Sequence, residues 1–213
     1  MPLYKTITVN EATKVLIWKI SESFEALSEG IELTEHCARR VEGMKSDLHR
    51  RGFMSVRHLL AEMGYTDFDL YYDSKGKPHL KDGKKISITH SFTFSAIIIG
   101  DQEIGIDIEM QRPKILKIAR KFTPIEEYRT LANEDALIRK LTMVWGAKES
   151  LYKSFAEAGV SFLKNIYVED FDMEELETSA QVSFNGKSEH YGVWFQEFEG
   201  FTCAYALISD NHA

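Results

Sequence analysis

Two hydrophobic periods alternate along the chain. Val15–Ile20, "VLIWKI", is a nearly continuous apolar run and predicts a buried strand. "SESFEALSEG" follows as a short helix, with Ser21 or Ser23 as its cap and Gly30 as its stop. From about Leu33 to Met63 the period is helical and rich in Arg and Lys. Gly64 ends it, and Gly43 and Gly52 offer breaks that would divide it into two helices. A strand-rich stretch comes next: "FDLYYD", the turn "SKGKP", "KISITHS", "FSAIIIG" and "EIGIDIE", with "GDQE" of hairpin length between the last two runs. After Pro113 the period returns to helical in "KILKIARKF", "TPIEEYRTLA" and the long run through "WGAKESLYKSF". Thr123 is an N-cap with Pro124 at the first helical position, and Gly159 is a C-terminal stop. The tail reads as strands again: "NIYVEDF", "AQVSFNG", "HYGVWFQEF" and "FTCAYALIS".

Strands and helices therefore occur in the same order twice, which predicts an α+β protein of two similar lobes. The seam falls near Gly100 to Gly105, giving an N-terminal lobe at 1–103 and a C-terminal lobe at 104–213. No residue-level repeat links the halves, and no low-complexity linker separates them.

Composition narrows the partners. A formal net charge of -7 over 213 residues argues against a general nucleic-acid binder, but leaves room for a local basic pocket. Cys37 and Cys203 are far apart and outside any metal-ligand spacing, as expected of reduced, buried thiols. The first residues lack a signal pattern, and no apolar run has the length of a membrane span. A cytoplasmic protein without membrane contact is the expectation.

"GIDIE", Gly105 to Glu109, carries the first candidate chemistry. Alternation in a strand puts Asp107 and Glu109 on one face, about 6–7 Å apart, and Ile104, Ile106 and Ile108 on the other. Two like charges so close repel each other, and burial adds to the cost. A hard divalent cation relieves both, and carboxylates suit magnesium or manganese. A strand with one wet face would show the same pattern. In "WGAKESLYK", Trp145, Glu149 and Lys153 share one helix face at i, i+4, i+8, with Lys148 about a hundred degrees round. Alone this is also the pattern of a structural helix with an exposed ion pair. Together the two segments supply three carboxylates and two lysines, the groups that hold a metal-bridged diphosphate. In "ISITHS", Ser87, Thr89 and Ser91 share a face. His90 lies opposite with Ile86 and Ile88, where a core histidine is the plain reading. Lys77 and Pro78 lie on the preceding turn, and Arg50, Arg51 and Arg57 on the basic helix.

In order and spacing, "GKP", "ITHS", "GIDIE", "KF…EEY" and "WGAKESLYK" resemble the signature segments of the 4′-phosphopantetheinyl transferases, most of all the surfactin-type, two-lobed monomeric members. The resemblance runs from about Arg50 to Lys153; "THS" departs from the more usual "SHS" but keeps a hydroxyl. It implies two α+β lobes related by a pseudo-two-fold, with coenzyme A bound in the cleft between them. It implies Asp107, Glu109 and Glu149 as magnesium ligands, with manganese as an alternative, and Glu149 and Lys153 as the catalytic groups. Lys148 and Lys153 fall beside the diphosphate, and His90 and Arg57 near the 3′-phosphate, with Arg50 or Arg51 as alternatives to Arg57. Lys77 and Pro78 fall beside the adenine, Thr89 holds the nucleotide, Trp145 packs the helix, and Glu127 matches a family acid. The implied reaction moves 4′-phosphopantetheine from coenzyme A to a serine of an apo acyl or peptidyl carrier protein and releases 3′,5′-ADP. A metal-dependent phosphodiesterase, or a catalytically weak relative that binds a carrier protein or nucleotide, are the alternatives.

Overall fold

A computed structural model of the chain describes residues 3–124 and 133–209. It divides into two compact units, residues 1–101 and 102–213, each mixed α+β.

The first unit contains, in chain order, β1 (Leu3–Thr8), β2 (Lys14–Lys19), α1 (Phe24–Ser28), α2 (Glu35–Glu42), α3 (Asp47–Glu62), β3 (Leu70–Tyr72), β4 (Pro78–Leu80), β5 (Lys85–Ser91) and β6 (Phe94–Gly100). Four strands form an antiparallel sheet in the order β1-β2-β6-β5, and β3 pairs with β4. Each helix begins at a hydroxyl cap: Ser23, Thr34 and Ser46 accept from Ala26, Cys37 and His49. Gly43 ends α2 as expected, but Gly52 lies inside α3 and breaks nothing. Leu59, Leu60 and Met54 of α3 pack with Leu16, Trp18, Ile97 and Ile99 of the sheet. Each such side chain contributes roughly 1.5–3 kcal/mol on full burial. Strand β1 has no apolar run, because it is an edge with most positions exposed, and periodicity alone does not reveal it.

The second unit contains β7 (Ile104–Met110), α4 (Lys114–Ile118), a 3-10 turn (Ala119–Lys121), α5 (Glu134–Phe155), β8 (Ile166–Val168), β9 (Glu177–Phe184), β10 (Lys187–Phe198) and β11 (Phe201–Ile208). Its antiparallel sheet has the order β7-β11-β10-β9-β8. Asn185-Gly186 and Glu199-Gly200 close the β9–β10 and β10–β11 hairpins with positive φ at both turn residues. The expected hairpin at "GDQE" does not form. β6 is already paired on both sides, by β2 and β5, so β7 starts a new sheet. The helix expected from Thr123 falls largely outside the described residues, as does Glu127. α5 ends at Phe155 with Ala156 in the left-handed conformation, before Gly159 is reached.

What positions the site is the contact of α5 with β7. A Cβ built on Gly105 would lie 1.8 Å from the Ser150 carbonyl oxygen, so helix and strand backbones touch there. Ser150 Oγ lies 2.7 Å from Gly146 O and 2.9 Å from Ala204 O, sharing its one proton between helix and β11. The first residue of "GIDIE" is therefore glycine because no other side chain admits the helix.

Candidate active site

Next to that contact, β7 turns Asp107 and Glu109 toward α5, while Ile104, Ile106 and Ile108 are buried on the other face. Trp145, Glu149 and Lys153 lie on the facing side of α5. Lys153 Nζ donates to Asp107 Oδ1 at 2.7 Å and to Ile106 O at 2.9 Å. Trp145 Nε1 donates to Glu109 Oε1 at 3.2 Å. Burial and then the Asp107 charge raise the Glu109 carboxyl above its ordinary range, against the Trp145 hydrogen bond and the charges of Arg112 and Lys153. Burial, followed by Asp107, pushes Glu149 up to about 7; Lys153 opposes this and Glu109 adds to it. The three acids and Lys153 thus form one electrostatic unit.

As the side chains stand, no three acidic, His or Cys groups among the described residues close into a metal-ligand set. Lys153 instead bridges to Asp107. The donor set nonetheless fits a hard divalent cation. It consists of carboxylate oxygens of which two have their proton affinities raised by burial and then by mutual repulsion, and a bound positive charge offsets both.

Two of the basic residues assigned by resemblance lie elsewhere. Lys148, the neighbour of Glu149, points into the unit. Its Nζ donates to the carbonyls of Phe122 at 2.6 Å, Phe162 at 2.7 Å and Ile166 at 2.7 Å, matching the three donors of an ammonium. A turn of a hundred degrees separates it from the acid face, so it does not stand beside a diphosphate there. Arg57 is buried in the first unit. It pairs with Asp67 through Nε at 2.9 Å and Nη2 at 2.8 Å, donates to Phe53 O and Cys37 Sγ, and lies over the Phe53 ring. Its guanidinium is held in the core and is not offered to a ligand. Asp67, which gave no signal in the sequence, is its reason.

His90 also departs from its plain reading as a core residue, for it is exposed. It is the last residue but one of β5, level with the first turns of α3, where its ring rests on Gly52; a Cβ there would stand 3.0 Å from His90 Cγ. The His49 ring centroid is 6.1 Å away. Thr89 and Ser87 are buried on the opposite face of β5. Close to His49, Arg50 lies 3.7 Å over the Phe24 ring, and Arg51 reaches Ile20 O at 3.4 Å. Both are half-buried, with their Nε atoms lacking a hydrogen-bond partner. Lys77 and Pro78 sit where Asp73 Oδ1 accepts the Lys75 and Lys77 amides and closes the turn into β4.

Comparison with known proteins finds relatives of this chain. Residues 103–206, which hold β7 and α5, match the model of the 4′-phosphopantetheinyl transferase superfamily. Enterobactin synthase component D of Salmonella typhimurium (strain LT2) is 33% identical over 129 residues, 59% of this chain and 55% of that protein. The 4′-phosphopantetheinyl transferase Sfp of Bacillus subtilis (strain 168) is 28% identical over 177 residues, 79% of this chain and 75% of that protein. The chain thus spans little more than half the length of the Salmonella relative. The part of it at residues 103–206 belongs to the 4′-phosphopantetheinyl transferase superfamily.

Proposed function

We propose that the chain transfers the 4′-phosphopantetheine group of coenzyme A to a serine of an apo acyl or peptidyl carrier protein. The observation that supports this most is the coupling of Asp107, Glu109, Glu149 and Lys153 at the β7–α5 contact. In this reading Asp107, Glu109 and Glu149 hold a magnesium or manganese ion after Lys153 leaves Asp107. When bound, the ion screens the diphosphate charge and favours in-line displacement. The bond between the serine oxygen and the β-phosphorus forms as the bond from that phosphorus to the bridging oxygen breaks, and 3′,5′-ADP leaves with that oxygen. Glu149, or a water held beside it, takes the hydroxyl proton. Lys153 offsets charge on the phosphoryl oxygens. Thr89, His90, Lys77 and Pro78 contact the nucleotide, with Arg50 or Arg51 in the part first given to Arg57.

The acceptor approaches a local positive surface. From Arg112 to Lys121 the chain carries five cations and no acid, against the net charge of -7 of the whole. Ile115, Ala119 and Phe122 turn inward onto Ile138, Leu141 and Val144 of α5, leaving Lys114, Lys117, Arg120 and Lys121 exposed. Such a patch fits an acidic face on the carrier.

Incubation with coenzyme A, magnesium and an apo carrier protein is expected to give one heavier carrier species by mass spectrometry, and Asp107→Ala is expected to abolish it. No mass gain on a panel of apo carriers, or full turnover by folded Asp107→Ala, would overturn the reading.

A further inference from the structure

Lys148 precedes Glu149 in the chain, yet the three carbonyls that hold its ammonium belong to a scaffold behind the acids. Two of those carbonyls belong to Phe122 and Phe162, whose rings flank Trp145 with centroids 5.0 Å and 5.3 Å from the indole. The indole N–H in turn meets Glu109 Oε1 at 3.2 Å. A buried ammonium costs desolvation that an apolar side chain of similar length avoids, so its retention asks for a reason beyond packing.

We propose that Lys148 is a positioning residue for the acid cluster. Its ammonium fixes the Phe122 and Phe162 backbones, their rings fix the Trp145 indole, and the indole N–H fixes the rotamer of Glu109. Lys148 itself touches neither substrate nor cation. The inference rests on the reading of Glu109 as a cation ligand. It adds that the affinity of that ligand is set from the buried side of α5.

The test titrates Mn2+ into the full chain, without coenzyme A or carrier, and follows the free ion by electron paramagnetic resonance. Lys148→Met keeps the side-chain length and removes the ammonium; Trp145→Phe keeps a ring and removes the N–H. Each is expected to weaken Mn2+ binding about tenfold, the usual effect of losing a group that orients a ligand. The double variant is expected to lose no more than the larger single loss, because both changes act on one link. If Lys148→Met does not fold, Phe162→Leu replaces it and carries the same expectation. Wild-type Mn2+ affinity in folded Lys148→Met, with a raised KM for coenzyme A, would make Lys148 a substrate contact and overturn the proposal. So would losses that multiply to about a hundredfold in the double variant. Failure of the underlying reading looks different, since folded Asp107→Ala would then bind Mn2+ as the wild type does.

Discussion

Glu149 illustrates at the scale of one residue how an active centre and a stable core make opposing demands. Its carboxyl is raised to about 7 by burial and by its acidic neighbours, so ionising it at neutral pH works against the fold. Glu149→Gln is therefore expected to raise Tm by about 2 °C while lowering transfer at least a hundredfold. Calorimetry and the carrier assay check the two halves separately, and a fall in both would mean a structural role. Arg57 and Asp67 behave in the opposite way. Burial raises the Asp67 carboxyl, but the Thr34 amide and hydroxyl and the Arg57 charge outweigh it and hold the group below its ordinary value. That stability is present above the unfolded pKa of about 4 and is lost as pH falls through the folded value. Arg57→Ala strands a buried carboxylate and is expected to cost about 3–5 kcal/mol, read by urea unfolding at pH 7. Sequence spacing brought Asp107, Glu109, Glu149 and Lys153 together because period 2 and period 3.6 fix which positions share a face. It set Lys148 about a hundred degrees off that face, but could not say what its ammonium meets, or that Arg57 is buried in a pair. Whether a cation meets a ligand or a core carbonyl depends on partners distant in the chain, such as Asp67 and Phe162.

Among the elements, β7 and α5 carry the site, and Gly105 sets how closely they approach. A Cβ there meets helix backbone, at 1.8 Å from Ser150 O and 2.7 Å from its carbonyl carbon. Gly105→Ala is thus expected to cost about 3 kcal/mol or more and to lose transfer with it, because strand and helix must separate. Gly52→Ala is a gentler probe. The atoms nearest its Cβ are side-chain atoms of the exposed His90, at 3.0–3.4 Å, rather than backbone. Stability is expected to change by less than about 1 kcal/mol while KM for coenzyme A rises and kcat holds. An unchanged KM would remove His90 from the nucleotide site. Most elements were legible from their hydrophobic period, including α3, α5 and the closing strands. β1 was not, since an exposed edge has no apolar run. The link at "GDQE" was misread because loop length says nothing of whether the preceding strand still has a free edge.

For the molecule as a whole, charge is informative where it departs from the mean. Exchanging Lys117, Arg120 and Lys121 for Glu is expected to raise KM for the carrier at least tenfold. Raising salt on the wild type is expected to act in the same direction, with KM for coenzyme A unchanged in the variant. Equal carrier kinetics in the variant would place docking elsewhere. The α+β class was readable from the alternating hydrophobic periods and the family from motif order, since the match covers the strand and helix that carry the acids. The central claim is that Asp107, Glu109 and Glu149 share one cation, and a crystal structure grown with Mn2+ and coenzyme A tests it most directly through anomalous scattering. A single peak about 2.1 Å from an oxygen of each carboxylate, with Lys153 drawn off Asp107, is the expected result. A peak held by other residues, or one that leaves Glu149 unengaged, would contradict it.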